Sequence, residues 1–153
     1  FLRAVWPTVL SRRPDARLRI IGRDIRPDLQ ALAAGLSDTV SVEGYVEDLS
    51  EALGRSAAML NPLRFGSGVK LKVIEALGRG VPVVSTPVGA EGIGHGPGTG
   101  VLVAQEPAAI AELLCSLTDV NYNATVSADA SAHFAATYAR EAVFSTYDIA
   151  FGA

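Results

Sequence analysis

The sequence predicts an α/β fold in which helices cover both faces of a parallel sheet, a Rossmann-like three-layer sandwich. Short apolar runs alternate with helical patterns along the chain, which is typical of strand–helix–strand units. The run 57–60 has no polar residue, as expected for a strand covered on both faces. With 153 residues, 49% of them hydrophobic, the chain suits one domain, 1–153, with a core of its own.

Composition argues against several classes of protein. The formal net charge is −3 and the basic residues do not cluster, which argues against nucleic-acid binding. The lone Cys115 excludes a disulfide framework and fits a reducing compartment. Neither a run long enough to span a membrane nor a signal peptide is visible. We therefore expect a cytoplasmic protein, with peripheral membrane association of a longer parent left open.

The first quarter of the chain predicts a helix, a strand, a second helix and a second strand. The first helix already includes residue 1, and Pro14 ends it because proline is not tolerated in a helix interior. A strand follows at 18–22, then a helix at 28–36 and a strand at 39–43. The apolar face of the first helix consists of Phe1, Leu2, Val5, Trp6, Val9 and Leu10.

The rest of the chain continues the alternation. Residues 89–100 hold six glycines and predict a loop, in which His95 is interpreted as an exposed turn residue.

Of the aromatic residues near the C-terminus, we expect Phe134, Tyr138 and Phe144 to cover the sheet. For the others, Tyr147 and Phe151, coverage of the sheet and exposure for self-association both stay open. The predicted elements are a helix at 49–55, a strand at 57–60, a helix from about 69, a strand at 81–85, a strand at 101–103, a helix at 107–117, a polar break at 119–125 and a helix from about 127.

The stretch 61–93 organises the predicted fold. It reads as a strand end, the glycine-rich loop 65–68, a helix beginning near Val69, a strand and a second glycine-rich loop. Helix N-terminal amides then lie beside a flexible loop at the carboxyl edge of a parallel sheet. With Ser67 and Lys70 beside them, these amides can hold an anion such as a phosphate.

Glu75 is the second polar group of this stretch. It follows Gly68 by almost two helical turns, so it lies on the same helix face at roughly 10 Å along the axis. A carboxylate at that distance from a diphosphate can accept hydrogen bonds from two ribose hydroxyls. The alternative, a helix N-terminus with a surface glutamate, remains open on spacing alone.

The same stretch also contains Pro62, Gly68, Glu75-Ala76 and the Gly-Val-Pro-Val-Val run 80–84. In register, these elements resemble the donor-binding segment of retaining glycosyltransferases of the GT-B fold, the group 1 or family 4 enzymes. Ser67 stands where the family has the first of two glutamates, which contacts the donor sugar. The resemblance implies donor binding by Gly44, Tyr45, Arg64, Ser67, Gly68, Val69, Lys70, Leu71 and Glu75.

The resemblance implies a donor domain that moves a sugar from a nucleotide-diphosphate sugar, such as a UDP- or GDP-sugar, to a hydroxyl acceptor with retention. It implies a hexosyltransferase-type parent in bacterial polysaccharide or glycoconjugate biosynthesis, with no cofactor and no metal. The acceptor domain is absent, so the fragment alone is expected to be inactive. One family strand is also missing between the strands at 18–22 and 57–60. The remaining strands must close up, leave a gap or borrow a strand from a second copy.

Three alternatives remain. The chain could be a non-catalytic nucleotide-binding module, which the serine at position 67 favours. It could also be another nucleotide-sugar enzyme of the same fold, such as an epimerase or phosphorylase. A dinucleotide-dependent oxidoreductase is disfavoured because no Gly-x-Gly-x-x-Gly follows the first strand. Self-association through an exposed sheet or the C-terminal helix is a further expectation for any of them.

Overall fold

The computed structural model describes the backbone of residues 1–151 and the side chains of residues 1–145. The expectations for the Tyr147 and Phe151 side chains therefore lie outside the described residues. The strands are β1 (Leu18–Ile21), β2 (Val40–Gly44), β3 (Met59–Asn61), β4 (Val83–Ser85) and β5 (Val101–Val103). The helices are α1 (Trp6–Arg12), α2 (Pro27–Ala34), α3 (Ser50–Gly54), α4 (Leu71–Gly78), α5 (Pro87–Ala90), α6 (Pro107–Ser116), α7 (Val120–Thr137) and α8 (Arg140–Phe151).

The strands form two parallel sheets and not one. In the described chain β1 pairs with β2, and β3, β4 and β5 form a second sheet in that order. Of the three arrangements that the sequence left possible, the structure has the gap, since β1 and β3 are not hydrogen-bonded to each other. The predicted α/β class with parallel strands is confirmed.

Helices pack on both faces of the central strand β4, which gives the three layers. Val84 belongs to a core cluster that contains residues of α1, α6, β1 and β2. Val83 points the other way, into a cluster with α4 and α7. Both valines are fully buried. The first cluster is therefore shared by the two sheets, and it holds them together without a strand between them.

Helix α1 begins later than the sequence pattern suggested. The helix starts at Trp6, whereas residues 2–5 form turns in which the N–H groups of Val5 and Trp6 both donate to the carbonyl of Phe1. Pro7 lies in the first helical turn, where no N–H is needed. The expected apolar face is nevertheless buried at Leu2, Val5, Trp6 and Val9.

The C-terminal helices differ from the prediction in two ways. The expected break at 119–125 is wrong, because Asp119 caps a helix that begins at Val120 and accepts from the N–H of Tyr122 at 2.9 Å. Phe134 and Tyr138 pack against the α4 cluster as expected. Phe144 does not cover the sheet: it is 55% exposed, and the guanidinium of Arg140 lies 5.4 Å from its ring centroid.

Candidate functional site

The loop after β3 is fixed to the segment after β4 at the carboxyl edge of the second sheet. Asn61, the last residue of β3, donates from Nδ2 to the carbonyl of Gly89 at 2.9 Å. Thr86 donates from Oγ1 to the carbonyl of Leu63, and it accepts from the N–H of Gly89 at 3.1 Å as the cap of α5. The short α5 was not predicted. It places this backbone beside the start of the glycine-rich loop.

The glycine-rich loop is open to solvent along its whole length. Gly66 and Gly68 have φ of 131° and 96°, a region that L side chains rarely adopt. A Cβ added at either residue would meet no atom within 4 Å. These glycines are therefore required by backbone conformation, and the space around them is available to a ligand.

Helix α4 begins at Leu71, two residues later than the expected start near Val69. Lys70 precedes it with φ −87° and ψ 64°, and its carbonyl accepts from the N–H groups of Val73 and Ile74. The amides of Leu71 and Lys72 are thus the first ones that lack an intrahelical acceptor. Gly68 and Val69 contribute loop amides and not helix amides, which corrects the expectation.

Lys70 is the buried cation of the site. Its side chain is among the buried polar groups, with the residue 9% exposed, although all residues from 62 to 69 are exposed. Its Nζ donates to the carbonyl of Gly68 at 3.1 Å. None of the ion pairs among the described side chains involves Lys70. A mostly buried lysine side chain whose ammonium donates to a single carbonyl favours an anion beside it, which would compensate the charge.

Glu75 lies in the second turn of α4, with its side chain 38% exposed. Its Oε1 accepts from Nη2 of Arg79 at 3.3 Å, which is an i, i+4 pair on one helix face. The other carboxylate oxygen has no hydrogen bond recorded with the described residues. Glu75 therefore has one carboxylate oxygen in contact with Arg79 and one that can accept a hydrogen bond from a ligand.

Gly44 and Tyr45 lie at the carboxyl edge of the other sheet. Gly44 has φ 65°, and its carbonyl accepts from the N–H of Gly22 at 2.7 Å, so the ends of β1 and β2 stay together. Tyr45 is 61% exposed, and the guanidinium of Arg23 lies 4.5 Å from its ring centroid. This pair offers a flat aromatic and cationic surface, and Arg23 was not among the residues expected there.

An ion pair connects the two halves of the candidate site. Nη2 of Arg79 lies 3.9 Å from Oδ1 of Asp48, which belongs to the loop that follows Tyr45. The hydrogen bonds from the hydroxyl and N–H of Ser50 lower the pKa of Asp48, and the charge of Arg79 lowers it further. The structure thus joins the Tyr45 loop to the helix of Glu75.

Arg64 and Ser67 are exposed, and neither has a hydrogen bond or ion pair recorded within the described part of the chain.

The sequence predicts two exposed histidines, His95 in the glycine-rich turn and His133 on a helix surface. His95 is exposed, and its Nδ1 lies 3.2 Å from the carbonyl of Ile93. His133 is instead half-buried, with Nε2 shielded from solvent and without a recorded partner. A Cβ at Gly94 would come within 2.8 Å of its ring. The contact depends on a glycine distant in sequence, so the helical pattern of α7 could not reveal it.

The candidate site is an open edge and not an enclosed pocket. One cavity of about 450 Å³ lies elsewhere in the described part, between the end of β5, α6 and Tyr122. The residues with described side chains contain no group of three or more His, Cys, Asp or Glu that could hold a metal ion. No described helix is both long enough and apolar enough to cross a membrane.

Comparison with known proteins gives a family match. A protein-family sequence model with the description "Glycosyl transferases group 1" matches residues 1–119. An "Uncharacterized 44.6 kDa protein in cps region" from Klebsiella pneumoniae is 29% identical over 133 residues, which are 83% of this chain and 33% of that protein. The chain therefore spans about a third of the length of this curated relative.

Solved structures share the fold. Anabaena HepE in complex with UDP and glucose superposes with a TM-score of 0.77 at 17% identity, over 97% of this chain and 43% of that one. WaaG, described as a glycosyltransferase involved in lipopolysaccharide biosynthesis, gives 0.72 at 20% identity, over 100% of this chain and 45% of that one. Identities this low show the fold alone.

Proposed function

This chain belongs to the group 1 glycosyltransferases, and we propose that it is the domain that binds the nucleotide-diphosphate sugar. In the parent reaction the sugar passes from the nucleoside diphosphate to a hydroxyl acceptor with retention of the anomeric configuration. The acceptor would lie against a part of the protein outside this chain, because the chain covers less than half of its solved neighbours.

The observation that carries the proposal is the buried Lys70 next to the open glycine-rich loop. The Lys70 side chain is mostly buried, and its Nζ donates to the carbonyl of Gly68. The amides of Leu71 and Lys72 start the helix directly beside it. A diphosphate at this position would receive hydrogen bonds from the amides and compensate the buried charge. The same groups would stabilise the charge that develops on the departing diphosphate.

Glu75 and Tyr45 would bind the nucleoside. The Oε2 of Glu75 would accept from the ribose hydroxyls, since Oε1 is already engaged by Arg79. The exposed ring of Tyr45, with Arg23 against it, would contact the base. Arg64 and Ser67 would be the polar side chains nearest the sugar, and the rest of the proposed contacts come from the backbone of 68–71.

The named neighbours indicate which donor and pathway to test first. HepE has been crystallised with UDP, with UDP-glucose, and with UDP and glucose. We therefore propose a UDP-hexose as the first donor to examine, with GDP-sugars next. The Klebsiella relative is named for a cps region and WaaG for lipopolysaccharide biosynthesis. These names favour a role in the synthesis of a bacterial surface polysaccharide.

The direct test is isothermal titration calorimetry with UDP, GDP and ADP and their sugars. We expect one diphosphate to bind selectively. Lys70→Met should weaken its binding by about ten- to a hundredfold, because a hydrogen bond to a charged group is worth about 1.5–3 kcal/mol. Lys72→Met is the matched control, since Lys72 is exposed two residues away. The proposal is wrong if no diphosphate binds, or if both lysine variants bind like the parent chain.

A second candidate function is nucleotide binding without turnover. Ser67 is exposed and has no carboxylate to offer the donor sugar. Binding in the titration combined with no sugar transfer by the parent protein would favour this function. Ser67→Glu is the informative variant, because a gain of transfer activity would assign the missing chemistry to this position.

A further inference from the structure

We propose that Arg79 is a positioning residue that holds Glu75 for ribose binding and ties it to the loop beside the base. This inference rests on the proposed function. Arg79 caps the C-terminal end of α4, so it is remote in sequence from the glycine-rich loop and from Tyr45. Its guanidinium nevertheless lies between the two surfaces to which we assign the ribose and the base.

The first step of the argument is the geometry at Glu75. Nη2 of Arg79 donates to Oε1 at 3.3 Å, and one helical turn separates the two residues. The side chains are 37% and 38% exposed, so neither is fully solvated. A carboxylate held through one oxygen presents the other in a restricted direction. Ordering a free glutamate side chain costs rotamer entropy, and the contact with Arg79 reduces that cost before the ligand arrives.

The second step is the contact with Asp48. The same Nη2 lies 3.9 Å from Oδ1 of Asp48. Asp48 is itself fixed, because Oδ1 accepts from the N–H of Ser50 at 2.7 Å at the start of α3. Asp48 is three residues beyond Tyr45, in the loop that follows β2. One guanidinium therefore connects the carboxylate that would bind ribose to the loop that would border the base, although these segments belong to different sheets.

The chain offers a closely matched control. Arg55 caps the C-terminal end of α3 and pairs with Glu51 at 3.1 Å, again with i, i+4 spacing. That pair is 74% and 76% exposed. The two arginines thus have the same position relative to their helices and the same type of partner. Only Arg79 contacts a second carboxylate in the loop beyond Tyr45.

The experiment compares ribonucleotides with deoxyribonucleotides by calorimetry, using the pairs UDP and 2′-deoxy-UDP, GDP and 2′-deoxy-GDP, and ADP and 2′-deoxy-ADP. For the base that binds, we expect a preference for the ribonucleotide of about tenfold or more, the value of a hydrogen bond to a charged group. Arg79→Gln should reduce this ratio to less than about threefold. The affinity for the deoxyribonucleotide should fall by less than that for the ribonucleotide, because the deoxyribonucleotide keeps only its 3′-hydroxyl for Glu75. Arg79→Lys should restore part of the ratio, and Arg55→Gln should keep all of it.

A double variant separates positioning from a general loss of stability. If Arg79 acts through Glu75, then Glu75→Gln with Arg79→Gln should bind the ribonucleotide no more weakly than Glu75→Gln alone. A purely structural contribution would make the two losses add. Thermal unfolding of each variant establishes that it is folded at the titration temperature. If Arg79→Gln is unfolded at that temperature, Arg79→Lys is compared with the parent chain instead.

The outcomes distinguish this inference from the proposed function. If no diphosphate binds, both are wrong. If the parent chain binds UDP and 2′-deoxy-UDP, or the matching pair for another base, with equal affinity, donor binding stands but the roles of Glu75 and Arg79 are wrong. If the parent chain prefers the ribonucleotide and Arg79→Gln keeps the full preference, only the proposed role of Arg79 is wrong. The proposed role of Arg79 would also be wrong if Arg55→Gln lost as much of the ribonucleotide preference as Arg79→Gln.

Discussion

The two sheets of this molecule are stabilised in different ways. In the β3–β4–β5 sheet, Val83, Val84 and Val101 are completely buried, because helices cover β4 on both sides. In the β1–β2 sheet Val40 is buried, but Val42 two residues later is 38% exposed. The register of this pair also shifts between Ile20 and Ile21. The larger sheet depends on apolar burial, whereas the smaller one needs other contacts.

Those contacts are polar, one on the surface and one from a buried side chain. Arg19 of β1 donates from Nε and Nη2 to the two carboxylate oxygens of Glu43 of β2, both at 2.6 Å. Trp6 of α1 donates from Nε1 to Oγ1 of Thr39 at 3.2 Å, just before β2 begins. The comparison shows that two sheets of the same parallel type, in one chain, can be held by different balances of burial and charge. Three substitution pairs can test the difference.

The largest difference is expected between two glycines with similar backbone conformation. Gly100, before β5, has φ 72°, and an added Cβ would lie 2.4 Å from Cβ of Ala130 on α7. Gly44, at the end of β2, has φ 65° and nothing within 4 Å of such a Cβ. Gly100→Ala should cost about 3 kcal/mol or more, as strain and steric overlap combine, whereas Gly44→Ala should cost about 1–2 kcal/mol from strain alone.

Urea unfolding followed by circular dichroism would measure both costs. Gly92 provides a further reference, with φ 77° and open space around it. Gly92→Ala should therefore behave like Gly44→Ala. Equal destabilisation at Gly100 and Gly44 would show that α7 can move away from β5, and the proposed tightness of the second sheet would be wrong.

The next difference is expected between two valines. Val83→Ala removes two methyl groups from a completely buried site in β4 and should reduce the free energy of unfolding by about 2–3 kcal/mol. Val42→Ala makes the same change at a partly exposed site in β2 and should cost less than about 1 kcal/mol. Chemical denaturation of the two variants would measure the difference. Similar costs would contradict the claim that the two sheets depend on burial to different degrees.

The smallest effect is expected at the ion pair of the first sheet. The hydrogen bonds from Arg19 lower the pKa of Glu43 below its ordinary value of 4.5. Because the pKa of Glu43 is lower in the folded state than in the unfolded state, the ionised carboxylate stabilises the folded protein at pH values above the unfolded-state pKa. This contribution is lost as the pH falls through the folded-state pKa. Glu43→Gln should therefore cost at most about 1 kcal/mol at pH 7, because both side chains remain partly in water.

Unfolding free energies measured from pH 7 downward would test this expectation. The curves of the parent chain and of Glu43→Gln should converge as the pH drops below 4.5. Asp28→Asn provides a comparison. Arg26 lowers the pKa of Asp28 too, so this difference should also shrink at low pH. The pair is on the exposed surface and joins no two strands, so its cost at neutral pH should be smaller than that of Glu43→Gln. A difference for Glu43→Gln that stayed constant with pH would contradict the ion-pair explanation.

The sequence predicted the order of strands and helices well because most elements have clear apolar periods and glycine or proline at their ends. It failed where those signals were weak. Residues 120–125 at the start of α7 are mostly exposed and alternate apolar with polar side chains, so they show no helical period, although Asp119 was a readable cap. The four-residue α5 is too short to show a period. The sequence left a gap between the strands as one of three arrangements and could not choose among them, because a strand pattern does not reveal whether its edge is paired.

The candidate site was predictable only in part for a similar reason. Local spacing indicated the glycine-rich loop, Lys70 and Glu75. The contacts of Arg79 with Asp48 and of Arg23 with Tyr45 depend on which loops the fold brings together. The i, i+4 spacing of Glu75 and Arg79 was visible in the sequence, but its connection to the other sheet was not. The ligand-binding roles of all these residues stay predictions.

The cluster that contains residues of α1, α6 and both sheets has a consequence for cooperativity. Its members come from the first sheet, such as Val40, and from the second, such as Val84. If the β1–β2 unit opened alone, the apolar faces of α1 and α6 would be exposed to water at the same time. We therefore expect both sheets to unfold in a single transition, with equal calorimetric and van't Hoff enthalpies. Hydrogen exchange should likewise find no low-energy opening confined to the smaller sheet.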